Sequence, residues 1–151
     1  MSDAHGNHAE ERPAAVALCV QLSRTYSEAV RRIDGKLSNV HGLSFGDFTI
    51  LYHLKHAHES RLRRTDLAEL IGVTASAVTR SLIPLEKIGV VDRQSDARDA
   101  RVGYACLTAA GHELFASACV TAETACQDAI RGVPASLVPL LSQAAGRIDN
   151  P

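Results

Sequence analysis

The sequence is poor in aromatic residues, and it has no segment of the kind that enters a membrane. Phe, Trp and Tyr make up 4% of the 151 residues, and Trp is absent. An apolar content of 46% with so few rings predicts a helical core rich in alanine and leucine. No apolar run reaches the ~18 residues that span a bilayer, and the polar first residues lack the apolar core of a signal peptide. We therefore expect one cytoplasmic domain.

Motifs of enzymes and of zinc ribbons are also missing. The chain has no glycine-rich phosphate loop, no G-x-S-x-G and no pair of carboxylates in an apolar setting, which argues against an enzyme and its cofactors. Its four cysteines contain no C-x-x-C, which argues against a zinc ribbon. His53 and His56 could share a helix face and bind zinc with a third ligand. We interpret them as surface histidines and expect no metal.

Residues 65–82, TDLAELIGVTASAVTRSL, have the pattern of two short helices joined by a tight turn. Thr65 is suited to cap the first helix, Gly72 to end it in the left-handed conformation, and Thr74 to cap the second. This is the helix-turn-helix pattern, which an ordinary helical hairpin would partly share. DNA binding is favoured because the outward residues of the second helix carry no carboxylate that would repel phosphate: Ala75, Ser76, Thr79 and Arg80.

A β-hairpin is predicted directly after these helices. Val90 and Val91 begin one strand, and the alternation of Val102, Tyr104 and Cys106 predicts the returning strand. Between them, arginines alternate with aspartates: Asp92, Arg93, Asp96, Arg98, Asp99 and Arg101. These charges could simply neutralise one another in a solvated hairpin. Alternatively, Asp99 orients Arg101 so that the arginine enters the minor groove of DNA, where the negative potential attracts it.

The formal net charge of −1 hides an uneven distribution of charge. From Arg61 to Arg101 the chain carries eight basic and six acidic residues, whereas the rest carries eight basic and eleven acidic residues. The positive excess therefore lies in the predicted helix-turn-helix and hairpin, which we call the reading unit. A DNA-binding surface is expected to carry such an excess of positive charge. The contrast is modest and supports the motif without replacing it.

Helices are predicted on both sides of the reading unit. A long helix begins at Pro13, and its apolar stripe consists of Leu18, Leu22, Tyr26, Ala29, Ile33 and Leu37. Ser44 and Asp47 resemble a capping box that opens a second helix. After Thr108 the chain is helical again, and the last helix, at about 135–148, has too little apolar area to be stable alone.

Two further local features are expected near the reading unit. Leu62 lies where a short strand can form beside the hairpin. Pro84 lies inside the second helix of this unit, where it removes one hydrogen bond and predicts a bend or a change in the last turns of the helix.

These motifs together resemble the MarR family of winged-helix regulators. The resemblance rests on V-T-x-S-A-V-T-R from Val73, L-E-K-x-G-V-V from Leu85, V-D-R-x-x-D-x-R-D-x-R from Val91, and L-T-A-A-G from Leu107. It covers about residues 14–148.

The resemblance implies a mainly α (α+β) fold, a winged helix-turn-helix with long N- and C-terminal dimerisation helices and a two-stranded β-wing. Residues 1–12 would be a disordered tail and 13–43 an N-terminal dimerisation helix. Residues 44–111 would form the DNA-binding region, and 112–151 the C-terminal dimerisation helices.

By the same resemblance, the protein would be a homodimeric, ligand-responsive repressor that binds a pseudo-palindromic operator in double-stranded DNA. The predicted DNA contacts are Arg64, Thr74, Ala75, Ser76, Thr79, Arg80, Arg93, Arg98, Asp99 and Arg101. The small-molecule inducer site of such a regulator would involve Tyr26, His41, Phe48 and Tyr52.

Two alternatives remain open. Cys19 resembles the reactive cysteine of the hydroperoxide-sensing branch of the family, which would make the protein a thiol-based oxidation sensor. That branch surrounds its thiolate with tyrosine hydroxyls. The comparable positions here are Ser23, Ile33 and Phe45, and none of them is a tyrosine. The second alternative is a dimeric protein-interaction module without DNA-binding activity.

Overall fold

In the computed structural model, residues 13–99 and 102–149 are described, and within them six α-helices surround one small sheet. The helices are α1 (Ala14–His41), α2 (Phe45–His56), α3 (Arg64–Ile71), α4 (Ala75–Lys87), α5 (Ala109–Ala129) and α6 (Val138–Asp149). The strands are β1 (Arg61–Arg63), β2 (Val91–Ser95) and β3 (Gly103–Leu107). The predicted fold class is confirmed, while the predicted tail, residues 1–12, lies outside the described residues.

The sheet is antiparallel, with the strand order β1-β3-β2. The strand predicted at Leu62 is confirmed, and Leu62 pairs with Ala105 of β3. The expected alternation along β3 is wrong, because Ala105 and its neighbour Cys106 are both buried. Cys106 lies opposite Arg61 on one side and Asp92 on the other. Because β3 is the central strand, the longer side chains of Arg61 and Asp92 flank Cys106 and cover it.

The core is built mainly from leucine and alanine, as the shortage of aromatic residues predicts. Its largest fully buried side chains are Leu37, Leu43, Ile50, Leu51, Leu54, Leu67, Val78, Leu82, Leu85 and Val91. Helix α5 contributes small residues at Ala118, Ala122 and Ala125, which allow close packing against α1 and α2. Phe48 and Phe115 stack with their ring centroids 5.5 Å apart.

Only the later part of α1 joins this core. Ile33 and Leu37 are buried, whereas the earlier members of the predicted stripe are open: Leu18, Leu22 and Tyr26 are 56%, 47% and 67% exposed. Helix α6 packs mainly against the short 3₁₀ turn at Ala135–Leu137 that precedes it. Across the described ranges, no helix is long and apolar enough to cross a membrane.

Most of the predicted helix ends are confirmed. The side chain of Ser44 accepts from the Asp47 amide, and the Asp47 carboxylate accepts from the Ser44 amide, which completes the capping box. The predicted cap at Thr65 is wrong. Helix α3 begins at Arg64, two residues before the start that a Thr65 cap would give, because β1 leads directly into it. Helix α4 is continuous through Pro84 and ends at Lys87.

The start of α5 is fastened to the end of the reading helices. The Thr108 amide donates to Val90 O at 3.1 Å, and its hydroxyl donates to Gly89 O at 2.7 Å. The same hydroxyl accepts from the Gly111 amide at 3.0 Å. A Cβ at Gly111 would lie 2.1 Å from Val90 O, so only glycine allows this approach. We call this contact the Thr108 junction.

Replacing Gly111 by alanine should therefore destabilise the protein, by about 1–3 kcal/mol or more, since the new methyl overlaps a backbone oxygen that cannot move freely. Chemical denaturation of wild type and Gly111→Ala checks this expectation.

Gly35→Ala is the matched control for that experiment. Gly35 lies inside α1, and nothing lies within 4 Å of a Cβ built there. Alanine should stabilise α1 at this position by about 0.5–1 kcal/mol. Equal stability changes in the two variants would contradict the packing described for Gly111.

Candidate nucleic-acid interface

A three-residue turn fixes α4 against α3. Gly72 adopts φ 69°, and its amide donates to the last turn of α3. The Thr74 hydroxyl then accepts from the Ala77 amide at 3.2 Å, which starts α4. Leu67 of α3 and Val78 of α4 are both fully buried beside this turn. The pair of helices is therefore held as a rigid unit, as a helix-turn-helix requires.

The outer face of α4 carries the predicted base-reading residues. Thr74, Ala75, Ser76 and Arg80 are exposed, and the first turn of the helix has no acidic residue. Thr79 differs, because it is half-buried and its hydroxyl donates to Ala75 O at 3.0 Å. The Thr79 proton is thus used inside the helix, and its methyl group and oxygen lone pairs remain for contact.

The wing presents basic side chains on a loop that Asp96 organises. The Asp96 Oδ1 atom accepts from the amides of Arg98, at 2.7 Å, and Asp99, at 3.3 Å. These bonds, led by the one from Arg98, lower the pKa of Asp96 below its ordinary value. The side chains of Arg93 and Arg98 are exposed. Arg101 lies outside the described residues, so its predicted pairing with Asp99 stays a prediction.

Tyr104 connects the wing loop to β1, a role that sequence reasoning missed. Arg63 Nε–H donates to the Tyr104 hydroxyl at 3.3 Å, and that hydroxyl donates to Asp96 Oδ2 at 3.4 Å. The Arg61 guanidinium lies 5.2 Å from the centroid of the Tyr104 ring. The Tyr104 hydroxyl raises the pKa of Arg63. No sequence motif marks these contacts, since Arg63 and Tyr104 meet only through the pairing of β1 with β3.

A cavity of about 360 Å³ lies between α2 and α5. It is lined by Phe45, Phe48, Thr49, Tyr52, His53, Cys119, Ala122, Glu123 and Cys126. Of the predicted inducer-site residues, Phe48 and Tyr52 lie in this lining. The other two lie elsewhere: Tyr26 is exposed on α1, and His41 Nε2 hydrogen-bonds the Thr121 hydroxyl at 2.8 Å. The structure therefore does not bring all four together.

The cysteines and histidines occupy scattered positions. Cys19 is exposed on the first half of α1. Burial raises the pKa of Cys106 and of Cys126, which lowers the thiolate fraction of both. Burial, together with the nearby His56, lowers the pKa of His53. Within residues 13–99 and 102–149, no three His, Cys, Asp or Glu side chains are placed to hold a metal ion.

Comparison with known proteins extends these observations. The family model described as MarR family matches residues 41–102. Among solved structures, the chain resembles a MarR family regulator from Rhodococcus sp. RHA1, with a TM-score of 0.83, 20% identity, and coverage of 93% of this chain and 97% of that one. It also resembles Sco3205 from Streptomyces coelicolor, solved in complex with DNA, with a TM-score of 0.77, 23% identity, and coverage of 91% and 85%.

A third similar structure is CouR from Rhodococcus jostii RHA1, bound to p-coumaroyl-CoA, with a TM-score of 0.79, 20% identity, and coverage of 89% and 92%. No curated protein matches the sequence significantly.

The helix-turn-helix and its antiparallel wing define the winged-helix class of DNA-binding folds. Residues 41–102 match the MarR family model, and the described chain has the fold seen in solved MarR family transcriptional regulators.

Removing the Tyr104 hydroxyl should loosen the wing loop. In Tyr104→Phe the ring that faces Arg61 is kept, but Asp96 and Arg63 lose their bridge. Hydrogen exchange at the Arg98 and Asp99 amides should become about threefold to tenfold faster, because a hydrogen bond that supports their acceptor is lost. NMR measurement of amide exchange tests this.

The Ala77 amide serves as the internal control, since it also donates to a side-chain oxygen of the reading unit. Its exchange should not change in Tyr104→Phe. Unchanged exchange at Arg98 and Asp99 would contradict the bridging role of Tyr104.

Proposed function

We propose that the protein is a homodimeric transcriptional repressor that binds a pseudo-palindromic operator and responds to a small molecule. The observation that carries the proposal is the outer face of α4. In its first two turns, short, polar and basic side chains lie together without a carboxylate, beside a wing that presents Arg93 and Arg98. A helix of this kind fits the major groove, where an arginine can bond a guanine edge with two hydrogen bonds.

Each DNA contact then has a role set by its position. Ser76, Thr79 and Arg80 lie at the start of α4 and face base edges and nearby phosphates. Thr74 and Ala75 approach the backbone at the entry to the groove. Backbone contacts of the wing come from Arg93 and Arg98, and the predicted entry of Arg101 into the minor groove, oriented by Asp99, belongs to the same proposal.

The DNA-binding proposal is tested by selecting duplexes from a randomised pool with the purified protein. An operator with two half-sites about 10 base pairs apart, centre to centre, is expected for a dimer of helix-turn-helix units. Arg80→Ala should lower affinity for the selected duplex by about 1–3 kcal/mol and reduce its preference over mixed-sequence DNA, because a base contact is lost.

Lys87→Ala removes the same charge from the opposite end of α4 and is the matched control. It should leave the preference for the selected duplex unchanged, since loss of a charge away from the base edges weakens binding to all sequences alike. If neither the selection nor direct titration detects DNA binding at any salt concentration, the protein is instead an interaction module.

The dimer is proposed from the apolar side chains that one chain leaves exposed. Leu18 and Leu22 on α1, and Leu140 and Leu141 on α6, are between 47% and 59% exposed. Exposed apolar surface concentrated on two helices indicates a protein partner. A second copy of the chain is the occupant that places two reading units side by side on DNA.

Replacing Leu140 and Leu141 together by glutamate should therefore separate the dimer. Light scattering during gel filtration should give the single-chain mass of 16.1 kDa for this variant and about twice that mass for the wild type.

Leu70→Glu provides the control for this experiment, because Leu70 is a comparably exposed leucine, at 54%, on α3 of the reading unit. It should keep the dimer mass. A dimer mass for the α6 variant would exclude α6 from the interface.

The cavity between α2 and α5 is the proposed inducer site. Phe45, Phe48 and Tyr52 offer aromatic surface, while His53 and Glu123 offer polar atoms at its margin. This composition suits a small molecule with an aromatic or other apolar body and few polar groups.

A further inference from the structure

Three arginines lie close together where β1 meets α3, and they have different partners. Arg61 forms an ion pair with Glu59 at 2.6 Å. Arg63 donates to the Tyr104 hydroxyl, which connects it to the wing. Within the described ranges, 13–99 and 102–149, the guanidinium of Arg64 has neither a hydrogen bond nor an ion pair. Arg64 is therefore the member of this group whose charge is available to an anion.

The position of the Arg64 guanidinium depends on a missing side chain. A Cβ built on Gly103 would lie 2.6 Å from Nη2, 2.9 Å from Nε and 3.0 Å from Cζ of Arg64. These distances are shorter than van der Waals contact, so the guanidinium occupies the space that a side chain at position 103 would fill. We call this space the Gly103 notch.

The backbone does not itself require a glycine at this position. The described glycines with positive φ are Gly42, Gly72 and Gly89. Gly103 instead begins β3 and pairs with Ser95 of β2 in the ordinary antiparallel register. A larger residue here would therefore displace the Arg64 guanidinium without straining the backbone.

We propose that Gly103 is a positioning residue, and that the Arg64 guanidinium seated in its notch binds a DNA phosphate where the helix-turn-helix meets the wing. This inference rests on the proposed DNA-binding function. A guanidinium is planar and offers paired N–H donors that match two oxygens of a phosphate. Seating it before DNA arrives removes part of the entropy cost of ordering a long side chain on binding.

A phosphate fits this site better than a base edge does. Arg64 is the first residue of α3, the helix that precedes the recognition helix, and its side chain is half-buried. The outer face of α4 already carries the residues that enter the major groove. A cation fixed beside that face can set the depth and register of docking through the DNA backbone, without reading sequence.

The two variants that test this proposal are Gly103→Ala and Arg64→Ala, alone and combined. The three atoms nearest to the alanine methyl all belong to the movable end of Arg64, so the guanidinium should leave the notch while the fold remains intact. The probe is a fluorescein-labelled duplex of about 30 base pairs, selected from a randomised pool by the wild-type protein. Fluorescence anisotropy at several salt concentrations gives the affinity and its salt dependence.

Each single variant should bind this duplex about tenfold more weakly than wild type, because a charge-assisted contact is lost. The slope of log affinity against log salt concentration should become shallower by about one for each protomer. The double variant should bind no more weakly than Arg64→Ala alone. The melting temperature of Gly103→Ala should stay within about 2 °C of the wild-type value.

Gly35→Ala, which alters an open position on α1, should bind DNA as the wild type does. The proposal is overturned if Gly103→Ala binds normally, if its loss adds to that of Arg64→Ala, or if it melts well below wild type. A wild-type protein that neither selects nor binds any duplex would overturn the proposed function and this inference together. Normal wild-type binding with a normal Gly103→Ala variant would overturn this inference alone.

Discussion

The arrangement of the reading unit depends on the Thr108 junction. One hydroxyl donates to Gly89 O and accepts from the Gly111 amide, while the Thr108 amide bonds Val90 O. These bonds tie the exit of α4 and the entry to the wing to the first turn of α5. Since α5 also packs along α1 and α2, the junction joins the helix-turn-helix and wing to the helices around the core. The position of α4 and the wing relative to the core is therefore fixed through the first turn of α5.

The basic residues around this unit differ in whether their charge is paired within the protein or exposed on its surface. Arg61 and Arg63 are held within the sheet by Glu59 and Tyr104, and they stiffen it. Asp96 uses its charge to fold the wing loop through backbone amides. Other arginines keep their charge on the surface, above all Arg80 on α4 and Arg93 and Arg98 on the wing. A chain with a net charge of −1 thus keeps exposed arginines on α4 and the wing.

Features that a few neighbouring residues determine could be predicted from the sequence. The left-handed Gly72, the cap at Thr74 and the Ser44 capping box are of this kind, because each motif contains both partners of its contact. The cap predicted at Thr65 failed because the preceding strand, and not the local sequence, sets where α3 begins. The contacts of Tyr104 with Arg63, and of Gly103 with Arg64, join residues about forty positions apart. Only the pairing of β1 with β3 creates them, so no local pattern could reveal them.

The length of α5 relates a displacement of its far end to an angle of rotation about the Thr108 junction. Its 21 residues give it a length of about 30 Å at about 1.5 Å per residue. One end is fixed at the Thr108 junction, and near the other end Asp128 pairs with Lys36 of α1. A tilt of about 5° about the junction moves the far end by about 3 Å, since arc length is the product of angle and radius. Any rotation of the reading unit about the junction would therefore be about six times smaller, in degrees per ångström of displacement, at the end of this long helix than at the end of a single helical turn, so the length of α5 sets the proportion between the two movements.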